Sequence, residues 1–278
     1  MTPASPRFRS HAYLARAAGL LGLCILLTGA GGPAPVQVLD WPGAQQRHRI
    51  GSAYAGNDRF LAVGAERADV DGTEKAGLVR FYGQAGDRWQ PHGKLAPPAE
   101  ERQVAAHFGA ALALDDDRLL VGAPGLYADE GGAYLYERSG ESWVQVARFL
   151  VTAADRADFG GASVAIDGDF ALMGVPGHDG SAADAGKVQA YRREGDSWVA
   201  DGELVPDEPI ESSFFGSSLV LIGNEAIVAG RIFKGPCPVY LFHRGPDGWA
   251  QTGMIRAPEA AGQVTFGEQV ASDGKTLA

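Results

Sequence analysis

Nine polar, charged and aromatic residues in three separate segments of the chain could contact a partner molecule. Each segment lies between two β-prone runs or between two repeats, so we expect loops carried on a rigid scaffold. Aromatic and charged side chains in exposed loops can anchor a macromolecule. The nine residues are Tyr127, Asp129, Glu130, His178, Asp179, Asp184, Arg231, Phe233 and Lys234.

No residue pattern in the sequence assigns a catalytic centre. The chain lacks the GxSxG, Walker-type and dinucleotide-binding glycine patterns, and its five histidines after residue 30 do not have helical metal-site spacing. We therefore predict no catalytic residue, no metal ligand and no cofactor. The 34 Asp and Glu residues leave one alternative open, in which loop carboxylates serve a hydrolase or lyase. A further alternative is an ion site in the acidic turn that carries Asp69, Asp71 and Glu74. The other interpretation of this turn is a simple solvated loop.

The first 30 residues have the layout of an export signal. Three arginines precede an apolar run at 17–27, and small residues follow at 28–30. This is the order of a secretory signal peptide that is cleaved after Ala30, whereas the apolar run is short for a membrane span. We therefore predict a secreted, periplasmic or cell-surface protein that has no membrane span once the signal is removed.

The rest of the chain is acidic and rich in glycine. The 278 residues include 39 Gly and are 45% hydrophobic and 21% charged, which favours a folded, turn-rich chain over a disordered one. Removal of the leader takes away three of the 24 basic residues and no acid, so the net charge changes from −10 to −13. Such a chain would repel nucleic acid. Only Cys237 remains, which excludes an internal disulfide, and we expect a small buried or semi-exposed residue rather than a nucleophile.

Four markers recur in a fixed order from residue 50 onward. The first is a Phe-Gly pair, with Ile50-Gly51 as a weaker copy, and successive glycines are 58, 51, 56 and 51 residues apart. The second is a run similar to Val-Gly-Ala, and the third is one or two aromatic residues in the following strand. The fourth is a tryptophan. The Phe-Gly pairs stand at 108–109, 159–160, 215–216 and 266–267, and the tryptophans are Trp89, Trp143, Trp198 and Trp249.

Each repeat predicts four short antiparallel strands. After residues 159–160, two β-prone runs are joined by the Asp-Gly-Asp turn at 167–169, which is typical of a hairpin. The turn at 115–117 is equivalent, and both turns are too short to surround calcium with six oxygen ligands. A four-stranded sheet cannot bury both of its faces alone, so the sheets must stack. This predicts an all-β fold, a β-propeller of four-stranded antiparallel blades, with the tryptophans between adjacent blades.

The repeated motifs resemble the FG-GAP repeats that occur in the propeller of integrin α subunits and in many exported bacterial proteins. The resemblance rests on His107-Phe108-Gly109 with the run at 120–124, and on residues 159–164 with 173–176; it covers residues 36–278. It implies a β-propeller that binds other macromolecules outside the cell through loops on one face. Integrin repeats often carry a calcium loop before the second marker, but here that connection has two or three residues, so calcium is not implied.

The repeats divide the chain into a signal peptide at 1–30, a short linker at 31–35 and a propeller at 36–278. They start near residues 50, 108, 159, 215 and 266. Residues 36–41 align with the fourth strand of a repeat, and the fifth repeat stops at Ala278, before its second marker. We expect four full repeats and a partial fifth. Two alternatives stay open: an irregular ring of five blades, or, as we favour, a C-terminus truncated from a longer protein whose number of blades is unknown.

These observations favour an exported, non-catalytic interaction module. Its partner would be an extracellular protein or glycan that is bound through the blade loops. Two alternatives stay open: a hydrolase or lyase whose active site lies in the same loops, and a structural segment of a larger surface protein.

Overall fold

The computed structural model describes residues 37–152, 157–232, 236–258 and 266–272, together with the backbone of three short strands that precede them. These strands are β1 (Ala12–Ala15), β2 (Leu23–Gly29) and β3 (Gly32–Pro33), and β2 also pairs with β4 (Gln37–Leu39). The remainder of the predicted signal peptide lies outside the described residues. Across the described part of the chain, no helix is long and apolar enough to cross a membrane.

Four antiparallel sheets of four strands form the rest of the fold, and in each sheet the strands are ordered as they are in the chain. The other elements are a 3₁₀ turn, η1 (Gln46–His48), and a one-turn segment, α1 (Leu126–Asp129). Sheet I contains β5 (Ile50–Gly56), β6 (Phe60–Ala65), β7 (Leu78–Ala85) and β8 (Arg88–Leu95). Sheet II contains β9 (Ala111–Asp115), β10 (Arg118–Gly122), β11 (Gly132–Ser139) and β12 (Ser142–Leu150). Sheet III contains β13 (Val164–Asp167), β14 (Phe170–Val175), β15 (Lys187–Glu194) and β16 (Ser197–Leu204). Sheet IV contains β17 (Ser218–Ile222), β18 (Glu225–Ala229), β19 (Val239–Gly245) and β20 (Gly248–Ile255).

The four sheets are arranged like the blades of a propeller. The first strands of successive sheets lie side by side, because β9 contacts both β5 and β13, and β13 contacts β17. Within the described residues the sheets do not close into a ring. The all-β prediction is therefore confirmed, together with the four-stranded antiparallel organisation of the four full repeats.

The core lies between the sheets, and it explains why the second strands are continuous apolar runs. In β10, Leu119 and Val121 pack toward sheet I, while Leu120 packs toward sheet III. A strand that is covered on both faces excludes water from every side chain, so alternation between apolar and polar residues disappears. The fourth strands alternate instead, since they lie at the outer edge of each sheet.

The tryptophans fill the space between adjacent sheets, as predicted. Trp143 of sheet II stacks on Phe81 of sheet I, with ring centroids 4.8 Å apart and an interplanar angle of 13°. Trp249 of sheet IV meets the edge of Phe170 of sheet III at 6.1 Å. These rings bury large apolar areas at each junction, which supports a packing role.

The predicted hairpin turns are linked to one another across the sheets at the end that we call the turn end. Oδ2 of Asp115 accepts a hydrogen bond of 3.0 Å from the backbone N–H of Gly168, in the turn of the next sheet. Oδ2 of Asp167 likewise accepts a hydrogen bond of 2.6 Å from the backbone N–H of Gly223. These carboxylates therefore stabilise the following turn, and this accounts for the acidic residues that the sequence places there.

One marker of the repeat stands one residue away from its predicted position. Phe108 and Phe215 are fully buried and form isolated bridges with the preceding sheet, but the residue that occupies this place before sheet III is Gly160, not Phe159. Phe159 is 36% exposed. The prediction that Phe159-Gly160 is the equivalent pair is therefore wrong, since it is Gly161 that has a positive φ, of 82°, as Gly109 and Gly216 do at 87° and 91°. A stacked pair, Phe149 on Tyr191 at 3.9 Å, occupies the core of this junction.

The segment before sheet I packs as a fourth strand, as the alignment predicted. The hydroxyl of Tyr82 donates to the carbonyl of Asp40 at 3.0 Å, and the equivalent Tyr191 donates to the carbonyl of Leu150 at 3.4 Å. Asp40 thus corresponds to Leu150, one residue from the predicted alignment of Trp41 with Leu150. The difference is the same one-residue error that affects Phe159.

Candidate binding surface

The loops between second and third strands meet the sheet-to-sheet connections at one end of the molecule, which we call the loop end. Antiparallel pairing places both kinds of loop there, opposite the turn end. The two are joined by backbone hydrogen bonds. At the junction of sheets I and II, Ala105 N donates to Glu74 O at 2.9 Å, and Phe108 N donates to Ala76 O at 3.0 Å. The same pattern joins sheets II and III and sheets III and IV, so the surface is continuous over three junctions.

These connections hold non-glycine residues in the left-handed region of backbone conformation. His107, Phe159 and Phe214 have φ values of 57°, 53° and 45° at equivalent places. Such values are unfavourable for residues with a Cβ and persist only where the surroundings impose them. Here, the hydrogen bonds from neighbouring backbone impose them, and the loop end is therefore a rigid surface.

Tyr127, Asp129 and Glu130 lie in the loop of sheet II. Tyr127, Ala128 and Asp129 form a left-handed turn with φ values of 52°, 61° and 71°. The backbone carbonyls of Asp129 and Glu130 accept hydrogen bonds of 2.9 Å from the chain that leads into sheet III. The side chains of Tyr127 and Asp129 are exposed, whereas that of Glu130 is half-buried. The main chain of this loop thus holds the fold together, and the side chains of Tyr127 and Asp129 face solvent.

The position of Tyr127 is fixed by Gln103 and Arg148, two residues that no sequence pattern marked. Its backbone N–H donates to Gln103 Oε1 at 2.9 Å, and its hydroxyl accepts from Arg148 Nη1 at 3.3 Å. Arg148 is in turn ion-paired with Glu101 at 2.9 Å. Burial, followed by the charge of Glu101, raises the pKa of the adjacent Tyr134, so that phenol stays neutral.

His178, Asp179 and Asp184 lie in the loop of sheet III. Oδ1 of Asp179 accepts from the backbone N–H of Asp184 at 2.8 Å, so these two residues brace one loop. Nδ1 of His178 lies 3.5 Å from Oδ2 of Asp158, whose side chain is 1% exposed. Asp158 is therefore buried beneath the loop end, and the adjacent Phe159 is exposed on it. No sequence motif marked Asp158, because its partner lies twenty residues away in another loop.

Arg231 follows β18 in sheet IV, and its backbone N–H donates to Ser213 O at 2.6 Å, which attaches this segment to the loop end. Its side chain is exposed. The predicted contact residues Phe233 and Lys234 lie outside the described residues.

Cys237, close by, is buried at 1% exposure, and burial raises the pKa of its thiol to about 11. Of the two predicted placements, buried or semi-exposed, the structure shows the buried one, and a neutral thiol is a poor nucleophile.

The acidic turn of sheet I is engaged by arginines. Asp69 pairs with Arg47 at 2.7 Å, and Asp71 pairs with Arg102 at 2.8 Å. Over the described ranges, no three His, Cys, Asp or Glu side chains are grouped as a metal site would require.

The loop end is therefore a rigid surface of three linked loops, carried by a propeller-like stack of sheets. No protein family profile matches the chain, and no curated protein matches it. Solved structures are similar in fold. One is a protein of unknown function from Desulfotomaculum acetoxidans DSM 771, with a TM-score of 0.62 and 10% identity over 96% of this chain and 72% of that one. Another is a proposed 6-phosphogluconolactonase from Bacteroides uniformis ATCC 8492, with a TM-score of 0.60 and 12% identity over 92% of this chain and 69% of that one. At this identity the likeness concerns the fold alone.

Proposed function

We propose that this chain is an exported β-propeller similar to the FG-GAP repeat proteins, and that it binds an extracellular protein or glycan without catalysis. The observation that carries the proposal is the loop end, where backbone hydrogen bonds join the loops of successive sheets and leave Tyr127, Phe159 and Asp179 exposed. A surface that is already ordered loses little entropy when a partner binds, and exposed aromatic rings supply contact area.

Polar groups accompany the exposed side chains of the loop end. They favour specific recognition of a partner over non-specific adhesion through a hydrophobic patch. Tyr127 carries a hydroxyl that already contacts Arg148, and Asp179 presents an exposed carboxylate in the loop of the following sheet. Tyr and charged groups together provide both apolar contact and directed hydrogen bonds. The export signal, which is predicted from residues 1–30, would place this surface outside the cytoplasm.

The proposal is tested by binding measurements on defined extracellular glycans and purified secreted proteins, with Tyr127→Ala and Asp179→Ala as variants. Tyr54→Ala is the matched control, because Tyr54 is an exposed tyrosine on β5, away from the three loops. We expect a partner that binds the native chain and Tyr54→Ala, but binds the two loop variants at least tenfold more weakly at unchanged melting temperature. Equal affinity of all four proteins for every partner found would refute the role of these loops.

A hydrolase or lyase at the same end is a second candidate, and the His178–Asp158 pair favours it. A buried carboxylate beside an imidazole is an arrangement that can orient a general base. This candidate requires turnover on glycan or ester substrates that His178→Gln abolishes. Binding without turnover by the native chain decides for the interaction module.

A further inference from the structure

A cluster of basic side chains lines a cavity at the loop end of sheet I. The cavity has a volume of about 310 Å³ and is lined by Arg47, Arg49, Arg67 and Lys75, together with Asp69 and Glu74. None of these residues is among the nine that the sequence pointed to. The cluster is notable because the chain as a whole carries a net charge of −10.

Two segments of the chain bring these cations together: η1 with the residue that follows it, and the loop between β6 and β7. Arg47 belongs to η1, Arg49 follows it with a left-handed φ of 52°, and Arg67 comes directly after β6. The backbone N–H of Arg67 donates to His48 O at 3.2 Å. The backbone of Lys75 is fixed on both sides, because its N–H donates to Asp69 Oδ1 at 3.0 Å and its carbonyl accepts from the next connection at 3.2 Å. The backbone of the cavity wall is therefore held in place by hydrogen bonds of the fold itself, without a ligand.

The ion pairs in the cluster leave donor capacity unused. Arg47 contacts Asp69 through Nη2 at 2.7 Å, and Arg49 contacts Glu66 through Nη1 at 2.6 Å. Arg67 only approaches Glu66, at 3.9 Å. A guanidinium has five N–H donors, so each arginine retains donors that can face the cavity.

Lys75 adds a cation beyond these pairs. Its side chain is exposed, and its ammonium takes part in none of the ion pairs that the structure describes around this cavity. Four cations thus face three carboxylates, those of Glu66, Asp69 and Glu74, and one positive charge is in excess.

We propose that this cavity binds the carboxylate form of a sugar acid, with a uronic acid residue of a glycan as the ligand class. Lys75 and Arg67 receive the carboxylate, while Asp69 and Glu74 accept hydrogen bonds from the ring hydroxyls. The mixture of cations and acceptors suits a ligand that has one negative charge and several hydroxyls. The one excess positive charge is balanced by a single carboxylate, whereas a dianion such as a phosphate ester would leave one negative charge uncompensated beside Asp69 and Glu74. The volume lies at the lower end of the range for ligand pockets, which fits one monosaccharide.

This inference goes beyond the proposed function, because the cavity lies in the loop of sheet I, apart from the loops that carry Tyr127 and Asp179, and because it is tested with a free sugar acid instead of a protein or glycan partner. The two can therefore fail separately. Loss of sugar-acid binding would leave the Tyr127 experiment unaffected, and the reverse also holds.

The test is calorimetric titration of the full chain with glucuronate, glucose, glucose 6-phosphate and an acidic hexapeptide, at low and at high salt. The variants are Lys75→Gln and Arg67→Gln, and the control is Lys94→Gln, since Lys94 is an exposed lysine on β8 outside the cavity. We expect glucuronate to bind and glucose not to bind, with weaker affinity at high salt. Lys75→Gln should weaken glucuronate binding about tenfold, and Lys94→Gln should leave it unchanged.

Three outcomes would overturn the proposal. The first is equal binding of glucose and glucuronate, or no binding of either, in a chain with a native melting temperature. The second is tighter binding of glucose 6-phosphate or of the acidic peptide than of glucuronate. The third is undiminished glucuronate affinity in Lys75→Gln and Arg67→Gln, which would place the ligand elsewhere.

Discussion

Gly122, at the end of β10, lies directly against the carbonyl of Gly161 at the start of the next repeat. A Cβ on Gly122 would come within 2.0 Å of the Gly161 carbonyl oxygen. Gly161 in turn donates its N–H to Gly174 O at 2.9 Å, and Gly174 meets the Gly216 carbonyl in the same way. The two glycine markers of the repeat are thus the points at which neighbouring sheets touch backbone to backbone.

Gly122→Ala should destabilise the protein without changing its surface. The new methyl group would overlap main-chain atoms that cannot rotate away, so the sheets must separate, at a cost of roughly 2–3 kcal/mol. Gly93→Ala is the matched control, because a Cβ at Gly93 meets nothing within 4 Å. Urea unfolding of both variants measures the difference. A Gly122→Ala protein as stable as Gly93→Ala would contradict the close approach.

Phe108→Ala and Phe159→Ala should have very different effects, although the sequence gives both residues the same motif. Phe108 is fully buried against Tyr134 and Tyr136, so its truncation should cost about 3–5 kcal/mol. Phe159 is 36% exposed, and its truncation should cost less than about 1 kcal/mol. Equal losses in the free energy of unfolding would show that Phe159 and Phe108 occupy equivalent places after all.

The contrast between these two phenylalanines shows which features the sequence could predict. Strand number and hairpin positions follow from local chemistry, such as the apolar runs and the Asp-Gly turn at 167–168. The segment Phe-Gly-Gly at 159–161 contains two glycines, and only the packing of the next sheet decides which of them adopts the positive φ. A sequence carries no local signal for that choice.

The candidate binding surface was predictable only in part, for a related reason. The loop residues Tyr127, His178 and Asp179 were recognisable because each interrupts a strand pattern. The basic cavity was missed, since Arg47 and Lys75 are 28 positions apart and meet only when sheet I forms. Asp158 was missed for the same reason, because it lies in the connection between sheets II and III and contacts His178 in a different loop.

Asp201→Asn should destabilise the junction of sheets III and IV in a pH-dependent manner. The Asp201 carboxylate is 6% exposed and accepts two hydrogen bonds from Arg244, at 2.7 and 2.8 Å, and one from Trp249 at 3.1 Å. Burial alone would raise the pKa of Asp201, but the hydrogen bonds and charge of Arg244, with those of Trp249 and Arg192, lower it below its ordinary value of 3.8. Loss of the charge should cost roughly 1.5–3 kcal/mol at neutral pH.

The sign of the pH dependence follows from that lowered pKa of Asp201. The folded state holds the carboxylate ionised, so the stabilisation is present above pH 3.8 and disappears as the pH falls through the folded pKa. Urea unfolding of the native chain and of Asp201→Asn should therefore differ at pH 7 and converge in strong acid. Asp196→Asn is the control, because Asp196 is exposed in a hairpin turn, and it should match the native chain at both pH values. A difference between Asp201→Asn and the native chain that stays constant from pH 7 to below pH 3 would mean that packing, and not the charge on Asp201, holds this junction together.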